Sequence, residues 1–418
     1  MTDSMGTSVF EPAPPPPEAG KRDGRVRMGR AIVLIALGLA GAAVLIVQVH
    51  ATLAARRLAQ YRVICRQLAD DQDWGGLVAA ADAWRIADPA ADDALVFRAD
   101  GLVQQANYEG AVASLLSIRN SYQGATQALA ACAEIQFADL NRVYDAEQTW
   151  LRMLAINPRT DVAYQRLIYF YSMTLQRRKL VDTIHQAIER ECEPPEAYVY
   201  LIQSSSLNFT DGASVLWRWK QNAPDDETLA VAHAVYAARN NEAGSIRTFG
   251  PEEFAGGELT PFEACARRFP RNLEIVAFAI EKAIADGNLD AVAKGLEQAP
   301  PEAATDSRFW RYRGHFLAGK QDYAEARTSL GKAIELNVFD WRNRLEISTV
   351  QRNLGETEPS RREGRLALDG KRLERALLES PNARELSAET VMMMRNYLTE
   401  VGDQTVLEGF FRRSGKQP

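Results

Sequence analysis

Apolar and small residues recur three or four positions apart along most of this chain, the spacing that gives a helix one buried face. In QDYAEARTSLGKAIELN, Gln321 to Asn337, they fall at Tyr323, Ala326, Leu330, Ala333 and Leu336. DWGGLVAAADAWRIADP places Trp74, Leu77, Ala81 and Trp84 in the same pattern, and VYDAEQTWLRMLAINP does so with Val143, Ala146, Trp150 and Met153. An all-α chain is predicted. A lone helix cannot cover such a face, so each must be met by a neighbour.

The pattern is itself periodic. Aligned on these stretches, Ser307 to Asp340 forms one unit, with Trp310, Gly314 and Leu317 on a first helix and Tyr323, Ala326, Leu330 and Ala333 on a second. NYEGAVASLLSI contributes Tyr108, Ala111, Leu115 and Ile118 between two units that close on Pro89 and Pro158. The separation of those prolines is close to twice a period of about 34 residues, and the offsets resemble the tetratricopeptide repeat (TPR), with Val338 standing where its closing Pro is usual. The resemblance covers 58–195 and 287–340. It loosens after Pro158, where Tyr164, Leu167 and Tyr171 fit a first helix but KLVDTIHQAIER arrives about three residues late, and it is weak over 196–286 and after Trp341. It implies an α-solenoid in which Gly314 and Ala326 are small because two helices cross closely, and Trp310 fills the wedge between hairpins.

One segment has no polar face. Ala31 to Val49 reads AIVLIALGLAGAAVLIVQV, long enough to cross a hydrocarbon core and free of charge. It is longer than the apolar region of a signal peptide, so a single transmembrane helix is expected. Lys21, Arg22, Arg25, Arg27 and Arg30 precede it, which favours a cytoplasmic N-terminus with the repeats on the other side. Residues 1–30, with four consecutive prolines, are expected to be a disordered Pro-rich and basic tail. Further on, 244–261 holds Gly244, Gly250, Gly256, Gly257 and two prolines, and is expected to be a loop between a first block, 50–243, and a second helical block, 262–418.

Charge and chemistry narrow the function. The formal net charge is −6 and the pI about 5.5, so no basic footprint for nucleic acid is expected. Cys65, Cys132, Cys192 and Cys265 make no paired motif and read as small buried hydrophobes, with disulfides the alternative if the domain faces an oxidising compartment. The sequence contains no H-E-x-x-H, G-x-S-x-G, phosphate-binding G-x-x-x-x-G-K-[ST] loop or G-x-G-x-x-G turn, and GHFLAGKQ, the nearest approach, reads as a helical turn. No enzyme, metal or cofactor is expected.

In the repeat that this chain resembles, first helices line a concave groove, with side chains near the second, fifth and ninth positions facing a partner. These positions are Arg308, Arg311 and His315, with Arg342 opening the next unit. They suggest a basic patch for a carboxylate or an acidic segment. Glu346 stands where a chaperone-tail clamp would need Asn, which argues against that type of clamp. Gln165, Arg166 and Tyr169 form a second candidate patch. The expected function is a membrane-anchored scaffold that binds another protein or peptide near the bilayer, in envelope assembly or secretion. The alternatives are a regulatory subunit recruiting an enzyme, and an enzyme in the region after Trp341.

Overall fold

A computed structural model describes residues 48, 59–242, 259–380 and 385–414, and among these every regular element is helical. The expected tail, nearly all of the expected transmembrane segment and nearly all of the 244–261 loop lie outside the described residues. Within them, no helix is long and apolar enough to cross a membrane.

The helices come as pairs. α1 (59–70) precedes α2 (Trp74–Ala87), and α3 (Asp92–Gln104) precedes α4 (Tyr108–Leu116). α5 (Ala125–Glu134), extended by a π-helical turn at Ile135–Asp139, precedes α6 (Val143–Ile156), and α7 (Asp161–Met173) precedes α8 (Arg177–Glu189). Four less regular helices follow: α9 (Ala197–Ile202), α10 (Gly212–Asn222), α11 (Glu227–Glu242) and α12 (Pro261–Arg268). Pairing then resumes with α13 (Leu273–Ala285) and α14 (Leu289–Gln298), and with α15 (Ser307–Gly319) and α16 (Tyr323–Leu336). The last pairs are α17 (Trp341–Asn353) with α18 (Thr357–Glu379), and α19 (Ala388–Val401) with α20 (Gln404–Ser414).

One backbone device makes all eight paired turns. A residue in the left-handed region sits two positions before each second helix: Gln72, Ala106, Asn141, Leu175, Gly287, Gln321, Gly355 and Gly402. At Gln321 the turn is closed by Gln321 N–H donating to Ala318 O at 3.0 Å and Asp322 N–H donating to Leu317 O at 3.0 Å, the two bonds of a Schellman motif. The left-handed residues 72, 106, 141 and 175 are 34, 35 and 34 apart, and 287, 321 and 355 are 34 apart. The solenoid is therefore TPR-like in its backbone as well as its side chains.

The single spacing of 35 coincides with the π-helical turn, which holds one residue more than the α-helical path. That extra residue also accounts for the separation of Pro89 from Pro158, one longer than two regular repeats. Leu175 keeps α8 in step, so the apolar pattern after Pro158 is not displaced as the sequence suggested. The interval from Leu175 to Gly287 is no multiple of 34, and here the repeat is interrupted. Pro194 and Pro195 delay α9, and Ser204, Ser205 and Ser206 follow its end, leaving it six residues long.

The chain packs as two units, one ending at Phe97 and the other beginning at Arg98. In the first, Cys65, Leu77, Ala81 and Trp84 are buried with Ala91 and Ala94, and Tyr61 stacks on Trp84 at 6.3 Å. In the second, Trp150, Met153 and the apolar faces of α7 and α8 share one core with Trp219, Phe278 and Phe339. That core includes residues on both sides of the expected 244–261 divide, and α11 packs on α12 and α13 across it.

Close helix crossing at Gly314 is as expected: a Cβ there would lie 2.5 Å from Leu330 Cγ and 3.3 Å from Ala326 O. Trp310, by contrast, fills no wedge. It is only partly buried, its Nε1–H donates to Ala304 O at 2.9 Å, and Phe309 and Tyr312 occupy the core instead. The four cysteines are free thiols, with Cys65, Cys132 and Cys265 buried.

The second unit closes on itself. α20 returns to α8, where Arg412 Nη2 donates to Ile188 O at 2.9 Å and Arg413 Nη1 to Glu193 O at 2.6 Å. Phe410 packs edge-on against Tyr198 at 5.3 Å. Gly409 permits this approach, since a Cβ there would meet Ile188 Cγ2 at 2.6 Å.

Candidate binding site

A cavity of about 600 Å³ opens in the second unit, lined by residues from Thr174 to Asp403. Its walls come from the α7–α8 turn and α8, the chain after α9, the first residues of α13 and α15, and the chain after α16. The helix starts are fixed by a device that itself repeats. Asn272, Asp306 and Asp340, spaced by one repeat length each time, cap α13, α15 and α17 by accepting from Glu274 N, Arg308 N and Arg342 N. The same cap places Glu274, Arg308 and Arg342 at equivalent positions in successive units.

Glu274 and Arg308 meet across that interval. Arg308 Nη1 and Nη2 donate to Glu274 Oε2 and Oε1 at 2.9 and 2.5 Å, and Arg308 also bonds Asp306 Oδ2 at 2.6 Å. From α8, Arg177 Nε donates to Glu274 Oε1 at 3.1 Å, and its Nη1 donates to the Ser204 carbonyl. Asn337 Nδ2 completes the wall by donating to Ser204 and Ser205 Oγ at 3.1 and 3.0 Å. Burial alone would push the Glu274 carboxyl up, but the guanidiniums of Arg177 and Arg308 outweigh it and hold the pKa at about 2. Arg308, although buried, has its pKa raised well above the ordinary arginine value by Asp306 and Glu274. The wall is thus a satisfied group of two guanidiniums and two carboxylates.

The rim carries both signs. Lys179 Nζ lies 3.2 Å from Glu147, and His185 Nε2 lies 3.7 Å from Asp403 Oδ2, too far for a hydrogen bond. Arg178 and Asp182 form a loose exposed pair at 4.0 Å.

The residues proposed from sequence fall into several separate places. Arg308 reaches the cavity wall, but it is 1% exposed and committed to Glu274 and Asp306. Arg311 is buried and shares Glu346 with His315, at 3.6 and 3.5 Å. Arg342 lies over Trp341 and grips Glu374 with both terminal nitrogens at 3.1 Å. The expected open basic patch is therefore a series of internal ion pairs, because each guanidinium faces a carboxylate of its own fold. In the second patch, Gln165 donates to Glu196 at 2.8 Å, Arg166 holds Glu134 and lies over Phe137, and Tyr169 packs among Phe137, Phe209 and Trp219. The structure adds Glu274, Asp306 and Arg177, which the sequence reading missed. Reading the second helical position through one more unit, from Arg308 back to Glu274, would have found the first.

No family profile and no curated protein matches the chain. Among solved structures, similarities include a tetratricopeptide repeat protein from Parabacteroides merdae at 12% identity, covering 62% of this chain and 98% of that one with a TM-score of 0.28. The Cut9–Hcn1 assembly of the APC/C is similar at 11% identity over 86% of this chain and 72% of that one, TM-score 0.31. Yeast Tom70 is similar at 11% identity over 86% and 88%, TM-score 0.27. Similarities of this size transfer no partner to this chain.

Proposed function

We propose that this chain is a TPR-like scaffold that holds a segment of a partner protein in the cavity between α8, α13 and α15. The observation that carries this reading is the cavity itself: about 600 Å³, bounded by elements drawn from across the second unit, from Thr174 to Asp403. Its wall is preorganised by the Glu274 group, so ordering costs on binding fall chiefly on the incoming segment. We further propose that residues 31–49 anchor the scaffold in a membrane with the repeats outside the cytoplasm, a reading that rests on the apolar run and its flanking charges alone.

The test is site-directed photocrosslinking in cells, with a benzophenone side chain at Thr305 on the cavity and, as a control, at exposed Met392. An adduct with one protein from position 305, absent from 392 and abolished by Ser205→Trp, is expected. Adducts from 392 alone, or an adduct at 305 that survives the blocked cavity, would remove the cavity as the site. Alkaline phosphatase and green fluorescent protein fused separately after Pro418 test the orientation, and fluorescence without phosphatase activity would reverse it.

A further inference from the structure

We infer that the outer face of α18 is a second docking surface, built to take an acidic segment of a protein partner. α18 runs 23 residues, against 13 for α17, with which it pairs. Its inner face buries Leu366, Ala367, Gly370, Leu373 and Leu377. Its outer face exposes Arg361, Arg362, Arg365, Lys371, Arg372 and Arg375. Glu358, Asp369 and Glu379 stand among these cations, so the face is a row of guanidiniums interleaved with exposed carboxylates.

Four of these arginines form a single row. Arg361, Arg365, Arg372 and Arg375 are spaced four, seven and three residues apart, which keeps them on one stripe about 21 Å long at about 1.5 Å per residue. Leu368, nearly half exposed, lies at the centre of that stripe. Each arginine has a carboxylate within 4 Å, Glu358, Glu400, Asp369 and Glu379 respectively, but all four acids are themselves about half or more exposed. Such pairs are open to exchange with carboxylates from outside.

The stripe selects its occupant. A second copy of α18 packed antiparallel about Leu368 would set Arg361 against Arg375 and Arg365 against Arg372 or Lys371, like charge on like charge. An acidic helix or strand answers both features, with carboxylates for the guanidiniums and an apolar side chain for Leu368. A phosphate backbone would use the arginines and leave the leucine uncovered.

The experiment titrates the full chain with a fluorescent peptide of alternating Glu and Leu blocks, long enough to span the row, followed by anisotropy at low and at high salt. Binding that weakens at least tenfold with salt, and at least tenfold in Arg361→Glu/Arg372→Glu, is expected. Circular dichroism of the variant checks that its helices persist, and the milder Arg361→Gln/Arg372→Gln variant is carried in parallel should the reversal disturb the fold. No binding by the parent chain would overturn the inference, as would equal binding by a folded variant. Preference for phosphatidylserine vesicles or a single-stranded oligonucleotide over the peptide would overturn it equally, by assigning the row to lipid or nucleic acid.

Discussion

Arg308 and Arg372 are the same residue type on the faces of neighbouring helical pairs, yet they sit at opposite extremes. Arg308 is 1% exposed, with Glu274 and Asp306 filling its hydrogen-bonding capacity, whereas the Arg372 side chain is 64% exposed with only Asp369 at 3.8 Å. The helical position of an arginine fixes where it points, but what stands opposite decides its role. For Arg308 the opposite residue lies one repeat earlier. For Arg372 it is the half-exposed Asp369 of its own helix, and beyond that solvent.

The largest effect should come from breaking the inner group. Glu274→Ala leaves Arg177 and Arg308 facing each other without their shared anion, and about 3–5 kcal/mol of stability should be lost, measured by urea unfolding. Glu379→Gln, on the outer row, should leave the unfolding midpoint in place. The same contrast appears against pH. The Glu274 pKa is depressed to about 2 in the folded chain, so its contribution is fully present above the ordinary carboxylate range and is lost as pH falls toward 2. Glu274→Gln should remove that part of the acid dependence, and a folded variant with an unchanged acid limb would show that other carboxylates carry it.

Two glycines sharpen the difference between inside and outside. A methyl at Gly314 would lie 2.5 Å from Leu330 Cγ, while one at Gly331 in α16 would meet nothing within 4 Å. Gly314→Ala should destabilise by about 1–3 kcal/mol through overpacking. Gly331→Ala should stabilise by about 0.5–1 kcal/mol through helix propensity alone. Equal effects in thermal melts would mean that the crossing of α15 and α16 is looser than the geometry shows.

The turns give a smaller step. Gly355 holds φ at 79°, a conformation that costs an alanine roughly 1–2 kcal/mol, and no neighbouring atom would oppose the added methyl. Gly355→Ala should therefore lower stability by about 1 kcal/mol through the backbone alone, whereas Gln321→Gly, at the equivalent turn, should raise it by a similar or smaller amount. Opposite signs at two positions one repeat apart would show by equilibrium unfolding that the shared turn is a real unit of the fold.

The period, the hairpins and the Gly314 crossing were legible because burial of one helical face leaves a mark every third or fourth residue. The left-handed turns were only partly legible, since five of the eight carry Gln, Ala, Asn or Leu where Gly would have announced them. The π-helical turn left only a faint trace, the slight excess of the Pro89 to Pro158 interval over two regular repeats. The cavity was hidden because it joins segments as far apart in the chain as Thr174 and Asp403. The fate of the arginines was hidden for a related reason: Glu274 lies in the stretch where the apolar pattern faded, so the carboxylate that neutralises Arg308 stood outside the recognisable repeat.

The smallest expected effect is the one on which the outer surface depends. Arg361→Ala and Arg372→Ala each remove an exposed guanidinium from a pair with a neighbour on the same helix, and an exposed pair contributes little once solvent screening and side-chain entropy are counted. Each should shift stability by no more than about 0.5 kcal/mol, and the two should add, because about three turns of helix separate them. A loss several times larger would mean that the row helps hold α18 in place, and the inner and outer arginines would then differ in degree alone. A small, additive change leaves two guanidiniums that folding does not need, on a face that the folded chain leaves open.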